Sequence, residues 1–232
     1  MINYSCALNL NWQLYFDNHE AYPQMELLYG ALNEFYPLFE SYLSIDTSRR
    51  LAIVNPTITG PVYFKDSELI FLSVEHGERI PQFLFQLAHE LCHFAISPHI
   101  ESENLKWFEE VLCDCASLFF LYIVAERYTQ ASNALADAYT CYFRDSINGP
   151  AMEKFTLTPD IDFAKLDRPK LHFLACSFFP IFLKDPLLWK ELKRLPKDST
   201  NLADLLDRWI VDGSLSRRSA LLSIKGLFFP PL

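Results

Sequence analysis

Residues 80–97 read Ile-Pro-Gln-Phe-Leu-Phe-Gln-Leu-Ala-His-Glu-Leu-Cys-His-Phe-Ala-Ile-Ser, and Pro98 follows them. Ile80, Leu84, Leu87, Leu91 and Ala95 recur at helical spacing and form one apolar stripe. Gln82, Gln86, His89 and His93 fall at i, i+4, i+7 and i+11, so they share a second face. His89 and His93 thus stand one turn apart, and two imidazoles so placed can bind one zinc ion at about 2.0–2.1 Å. Glu90 projects about 100° further round the helix, within reach of a water on such an ion but poorly placed to bind the ion itself. A metal in that position lowers the pKa of its water to about 7, and a carboxylate takes the proton as the water attacks a carbonyl. The segment His89-Glu90-Leu91-Cys92-His93 is where chemistry is expected, with Glu90 as the base.

Zinc needs a third protein ligand, and Glu109, Glu110, Asp114 and His99 are all available. A second helix is expected over residues 104–127, with Trp107, Glu110, Asp114 and Ser117 along one face. The stretch Trp107-Phe108-Glu109-Glu110-Val111-Leu112-Cys113-Asp114 resembles the second zinc helix of the gluzincin group of metallopeptidases. That resemblance runs from the strand at 68–74 to the helix ending near Arg127. It implies Glu110 as third ligand, with Asp114 accepting the free N–H of a histidine. Glu109 stands where members of the group often carry asparagine. A rival pattern is that of the metzincins, in which a third histidine lies six residues after the second, as His99 does here. That pattern requires a glycine where this chain has Ile96, and a β-branched residue resists positive φ. Its methionine turn would have to be supplied by Met152. His99 is accordingly expected to be a loop histidine near the site. Gluzincins also use a downstream Tyr or His to stabilise the oxyanion, for which Tyr139, Tyr142 and His172 are the candidates.

Upstream of the quoted helix, apolar residues from Gln24 to Tyr42 recur at helical spacing, with Pro37 expected to kink or split the helix. Leu51–Val54 reads as a short buried strand. Pro61–Lys65 and Glu68–Val74 read as two strands joined by a turn at Lys65-Asp66-Ser67. In zincin-like enzymes the edge strand beside the active helix pairs with an extended peptide, and either 62–65 or 69–73 fits that role. Downstream, helical segments are expected near 169–184, 186–195 and 202–211, with breaks at Asn148-Gly149-Pro150 and Thr158-Pro159. The fold class is α+β and zincin-like: a small mixed sheet packed on the histidine helix and a second zinc-ligand helix, then a mostly helical C-terminal half. The division expected is 1–128 and 129–232, the two parts possibly forming one domain.

The chain has 232 residues, half of them hydrophobic, which is enough for a sizeable core. Lys and Arg number 20 against 29 Asp and Glu, giving a net charge of −9, so a nucleic-acid partner is not expected. The pair Arg217-Arg218 with Lys225 is too small a basic cluster and reads as a solvated helix end. The N-terminus shows no basic region ahead of an apolar run. The apolar stretches 115–125 and 171–183 fall short of the ~20 residues of a membrane span. The six cysteines form no Cys-x-x-Cys pair and are expected to be free, mostly buried thiols in a cytoplasmic protein. His19 and His76 read as loop residues. The expected function is a zinc metallopeptidase acting on a protein or peptide substrate. The alternative is a zincin-fold protein that binds zinc as an interaction or sensor module without proteolysis.

Overall fold

The computed structural model describes residues 2–16, 22–55, 60–74, 79–129, 133–148 and 162–230. His19, His76, Met152 and the chain breaks expected at 149–150 and 158–159 lie outside these residues. Within them the fold is α+β, with a small sheet at the N-terminal end and helices to the C-terminus.

The sheet has five strands in the order β1-β2-β3-β5-β4: β1 (Ile2–Cys6), β2 (Asn9–Phe16), β3 (Leu51–Val54), β4 (Val62–Phe64) and β5 (Leu69–Phe71). The β1–β2 hairpin was not anticipated, although its alternation is plain: Trp12, Leu14 and Phe16 are buried on one face. β2, β3 and β5 run parallel, while β1 and β4 are antiparallel to their single neighbours. The parallel step from β2 to β3 is made through α1 (Tyr22–Tyr42), as a crossover requires. Pro37 does not split α1 into two helices. It lies on the exposed face, where water can replace the hydrogen bond that proline removes. β4 and β5 form the expected hairpin, shorter than the sequence suggested, with Phe64 opposite Leu69. β4 is the outermost strand on that side.

The quoted segment forms α2 (Ile80–Ile96), ended at Ser97, and its polar face serves two purposes. The Gln86 side chain accepts from Ser73 N at 2.7 Å and donates to Ser73 O at 3.1 Å, while Gln82 donates to the same carbonyl at 3.3 Å. This pins the chain leaving β5 to the first half of the helix, while Phe94 in the second half packs on Trp12 of β2 and Tyr63 of β4.

Next comes α3 (Lys106–Thr129), entered through a short 3-10 turn at Glu103–Leu105. From Trp107 to Leu121 every residue of α3 except Glu110 is buried. It packs against α2, α4 (Asn133–Asn148) and α5 (Arg168–Lys184). Ser117 Oγ ties it to α2 by donating to Phe85 O at 2.8 Å. Asp167 caps α5 by accepting from Lys170 N, and Pro169 occupies its first turn. A 3-10 segment (Pro186–Arg194), α6 (Leu202–Asp212) and α7 (Arg218–Phe228) complete the chain. One apolar cluster runs through both halves: Phe108 of α3 meets Phe178 at 5.8 Å, Trp209 at 6.1 Å and Phe228 at 6.4 Å between ring centroids. Among the described residues no single helix is long and apolar enough to cross a membrane.

Candidate metal centre

A cleft of about 1420 Å³ opens between the β4–β5 hairpin, the second half of α2, the segment 97–101 and the start of α3. His89, Glu90, His93, Glu109, Glu110, His99 and Arg168 all line it. Helical periodicity on α2 places the two imidazoles side by side, with ring centroids 5.1 Å apart. The same periodicity on α3 stacks Glu110 and Asp114 one turn apart against them.

The Nε2 atoms of both histidines turn toward Glu110: His89 Nε2 lies 3.4 Å from Oε2, and His93 Nε2 lies 3.3 Å from Oε1. The Nδ1 atoms turn the other way. His93 Nδ1 is 2.8 Å from Glu109 Oε1, and His89 Nδ1 is 3.0 Å from Asp114 Oδ1. That second approach is close but poorly directed, so His89 Nδ1 is a buried atom without a well-formed hydrogen bond. Asp114 is occupied elsewhere, by Arg168 Nη2 at 2.8 Å and by His172 Nδ1 at 3.4 Å on its other oxygen.

Glu109 is not among the residues facing the Nε2 atoms. Its Oε1 takes His93 Nδ1 and His99 Nδ1, and its Oε2 accepts from Ile100 N at 3.1 Å. His99 sits on the segment after α2, its ring 5.7 Å from those of both Tyr63 and His93. Burial works to raise the Glu109 pKa, but His93 and His99 outweigh it and hold the carboxyl near 2. Glu110 and Asp114 are likewise kept far below the ordinary carboxylate range, burial being overcome by the histidines facing them. Burial opposes protonation of His89 and His93, and the carboxylates reverse that and raise both.

Glu90 differs from its neighbours. It is 3% exposed, burial raises its pKa against the pull of His89 and His93, and no hydrogen-bond donor holds it among the described residues. Its carboxyl borders the cleft with freedom to take a proton.

Do these residues suit a cation? Two ligands bound at about 2.0–2.1 Å and a tetrahedral angle stand roughly 3.3 Å apart, which is the separation of each Nε2 from its Glu110 oxygen. Two imidazoles and an ionised carboxylate are also the right chemistry for a borderline divalent ion. The two histidines face different oxygens of Glu110, so closing on one ion requires the imidazoles and the carboxylate to move together. Among the described residues the trios whose ligand atoms all lie within 4.8 Å of one another are His89, His93 and Cys113, and His93, His99 and Glu109; His89, His93 and Glu110 meet only in pairs. The first needs a thiolate, and burial pushes the Cys113 thiol well up, as does its contact with Cys92. In the second, Glu109 Oε1 meets both imidazole Nδ1 atoms while its Oε2 is engaged by Ile100 N.

No protein-family model, curated protein or solved structure matches this chain. What the site can do therefore rests on its own geometry.

The remaining sequence candidates fall elsewhere. Tyr139 is buried and stacks on Tyr128 at 5.5 Å, while Tyr142 leans on Phe85 at 5.8 Å. His172 joins Asp114 to the Ser146 carbonyl, with Nε2 2.8 Å from that oxygen, and its pKa is raised to about 10 as Asp114 overcomes burial. None of the three lines the cleft. Sequence reasoning missed Arg168, whose place one residue into α5 carries no spacing signal toward α3. Cys92, Cys113 and Cys115 are buried, and all six cysteines are free.

Proposed function

We propose that the chain is a zinc-dependent peptidase of zincin type, close in plan to the gluzincins. The observation that carries this reading is the convergence of His89, His93 and Glu110 at the floor of a cleft, beside a buried Glu90 that no donor among the described residues holds. His89, His93 and Glu110 would hold the ion; Asp114 and Glu109 would orient the two imidazoles from behind. A zinc ion held there supplies Lewis acidity, polarising a carbonyl and acidifying a water. Glu109, by accepting His93 Nδ1–H, leaves the Nε2 lone pair facing the cleft. Glu90 takes the proton from the attacking water and is placed to pass it to the departing amine nitrogen. The outer edge of β4, unpaired among the described residues, borders the cleft and offers backbone groups along which an extended peptide can lie. A protein or peptide is thus the substrate class we favour.

The test is direct. Purified protein should take up one zinc and cleave members of a peptide library, and Glu90→Gln should keep the zinc while losing roughly 10²–10⁴-fold in turnover. A protein that binds no zinc after reconstitution, or a Glu90→Gln variant as active as the parent, would end this reading. Stoichiometric zinc with no cleavage of any peptide would point instead to a binding or sensing protein.

A further inference from the structure

Glu110 and Asp114, one turn apart on α3, are spanned by a single guanidinium from another helix. Arg168 Nη1 donates to Glu110 Oε2 and Nη2 donates to Asp114 Oδ1, each at 2.8 Å. His172 follows one turn later on α5, facing the second oxygen of Asp114 at 3.4 Å. In chain position Arg168 is 58 residues from Glu110. The contact exists only because α5 packs along α3.

We propose that Arg168 is a positioning residue for the metal site: it engages Glu110 Oε2, leaving Oε1, the oxygen that faces His93 Nε2, for the cation, and it fixes Asp114, whose Oδ1 lies 3.0 Å from His89 Nδ1. This inference rests on the metal site assigned above. A carboxylate that binds through both oxygens fills two coordination positions; one whose second oxygen is engaged by arginine fills one. The position so spared is the one a hydrolytic site must leave open to solvent. Arginine suits the task because its planar fork meets two acceptors at once, which an ammonium cannot do.

Two effects of Arg168 oppose each other. Its positive charge repels a cation nearby, so a purely electrostatic role predicts tighter zinc binding when it is removed. An orienting role predicts weaker binding, by roughly 10–100-fold as for other residues that steady ligands. Lysine separates the two, since it keeps the charge and loses the fork.

The experiment measures zinc affinity of the full chain by competition with a chromophoric chelator. Cobalt(II) spectra of the same proteins then report on ligand geometry. Arg168→Ala and Arg168→Lys should both bind zinc roughly 10–100-fold more weakly than the parent, with altered cobalt spectra. Lys106→Ala, which removes another cleft cation paired only with Glu103, should bind as the parent does. Unchanged or tighter binding in Arg168→Ala, parental affinity in Arg168→Lys, or an equal loss in Lys106→Ala would each overturn the proposal. If Arg168→Ala shows no cooperative melt, Arg168→Lys decides alone. A parent chain that binds no zinc removes both the proposed function and this inference; one that binds zinc but cuts nothing removes the peptidase reading alone.

Discussion

Glu109 and Lys197 are charged groups beside the candidate centre, and neither faces the histidine Nε2 atoms. Glu109 gathers His93 Nδ1, His99 Nδ1 and the Ile100 amide on one carboxylate. An amide in its place keeps one acceptor for the two imidazoles but turns a donor toward the Ile100 N–H and removes the charge, so Glu109→Gln should weaken zinc uptake by roughly 10–100-fold in a chelator competition. Glu110→Gln, which alters a ligand, should cost more. Lys197 is a different case: its Nζ is buried with no hydrogen-bond partner, and burial pulls its pKa down to about 8 despite the favourable field of Glu109. A lysine whose folded pKa lies below its unfolded value of about 10.4 destabilises the fold while it is charged. The penalty is complete below pH 8 and fades as pH rises from there toward the unfolded pKa. Lys197→Met should therefore raise stability at pH 7 by about 2–3 kcal/mol. Thermal melts repeated near pH ~10.5 should show that gain gone; a gain equal at both pH values would mean that packing, and not charge, is responsible.

At the scale of elements, Arg49 helps to fasten the β4–β5 hairpin to the end of α2. Arg49 bonds Glu68 at 2.8 Å, Tyr63 Oη at 3.1 Å and Phe94 O at 3.3 Å, with its guanidinium 4.1 Å above the Phe94 ring. Glu68 is the only non-glycine residue with positive φ among those described, at 49°, a conformation the ion pair helps to hold. Arg49→Met should lower stability by about 2–3 kcal/mol, seen as a lower melting temperature, while zinc binding persists because no ligand lies on the hairpin. Loss of zinc in that variant would show that the hairpin supports the metal site directly. Elements were legible in sequence to the extent that their signals are local. The period of residues 80–97 gave α2 to within a residue, since the helix, its stripe and its proline stop all lie within one segment. The β1–β2 hairpin was readable in the alternation of Trp12, Leu14 and Phe16 and was overlooked among the polar residues between them. Arg49 and Arg168 could not be read, because each acts across a contact that only packing creates. Likewise Tyr139 and Tyr142 carried no mark to separate a core tyrosine from one facing a cleft.

For the whole molecule, His89 and His93 come from α2 and Glu110 from α3, so a cation would bridge those two helices, while Arg168 joins α5 to the same carboxylates. A ligand bound only by the folded state at 100 times its Kd stabilises it by about 2.7 kcal/mol, which for a chain of this size is roughly 5–10 °C in melting temperature. Zinc should raise the melting temperature by that order in the parent protein and not in His93→Ala, as differential scanning fluorimetry with and without chelator would show. An equal rise in both would mean that zinc stabilises through some other set of groups.

The enclosure of α3 on three sides also decides where change is tolerated. With every residue from Trp107 to Leu121 except Glu110 buried, almost any randomisation of that helix breaks packing before it alters chemistry. The exposed residues of 61–67, and Pro98, Glu101 and Glu103 on the segment at 97–103, border the same cleft yet carry little of the interior. Libraries meant to redirect selectivity should be built there, and variants that survive selection should accumulate in those two borders while the central helix stays as it is.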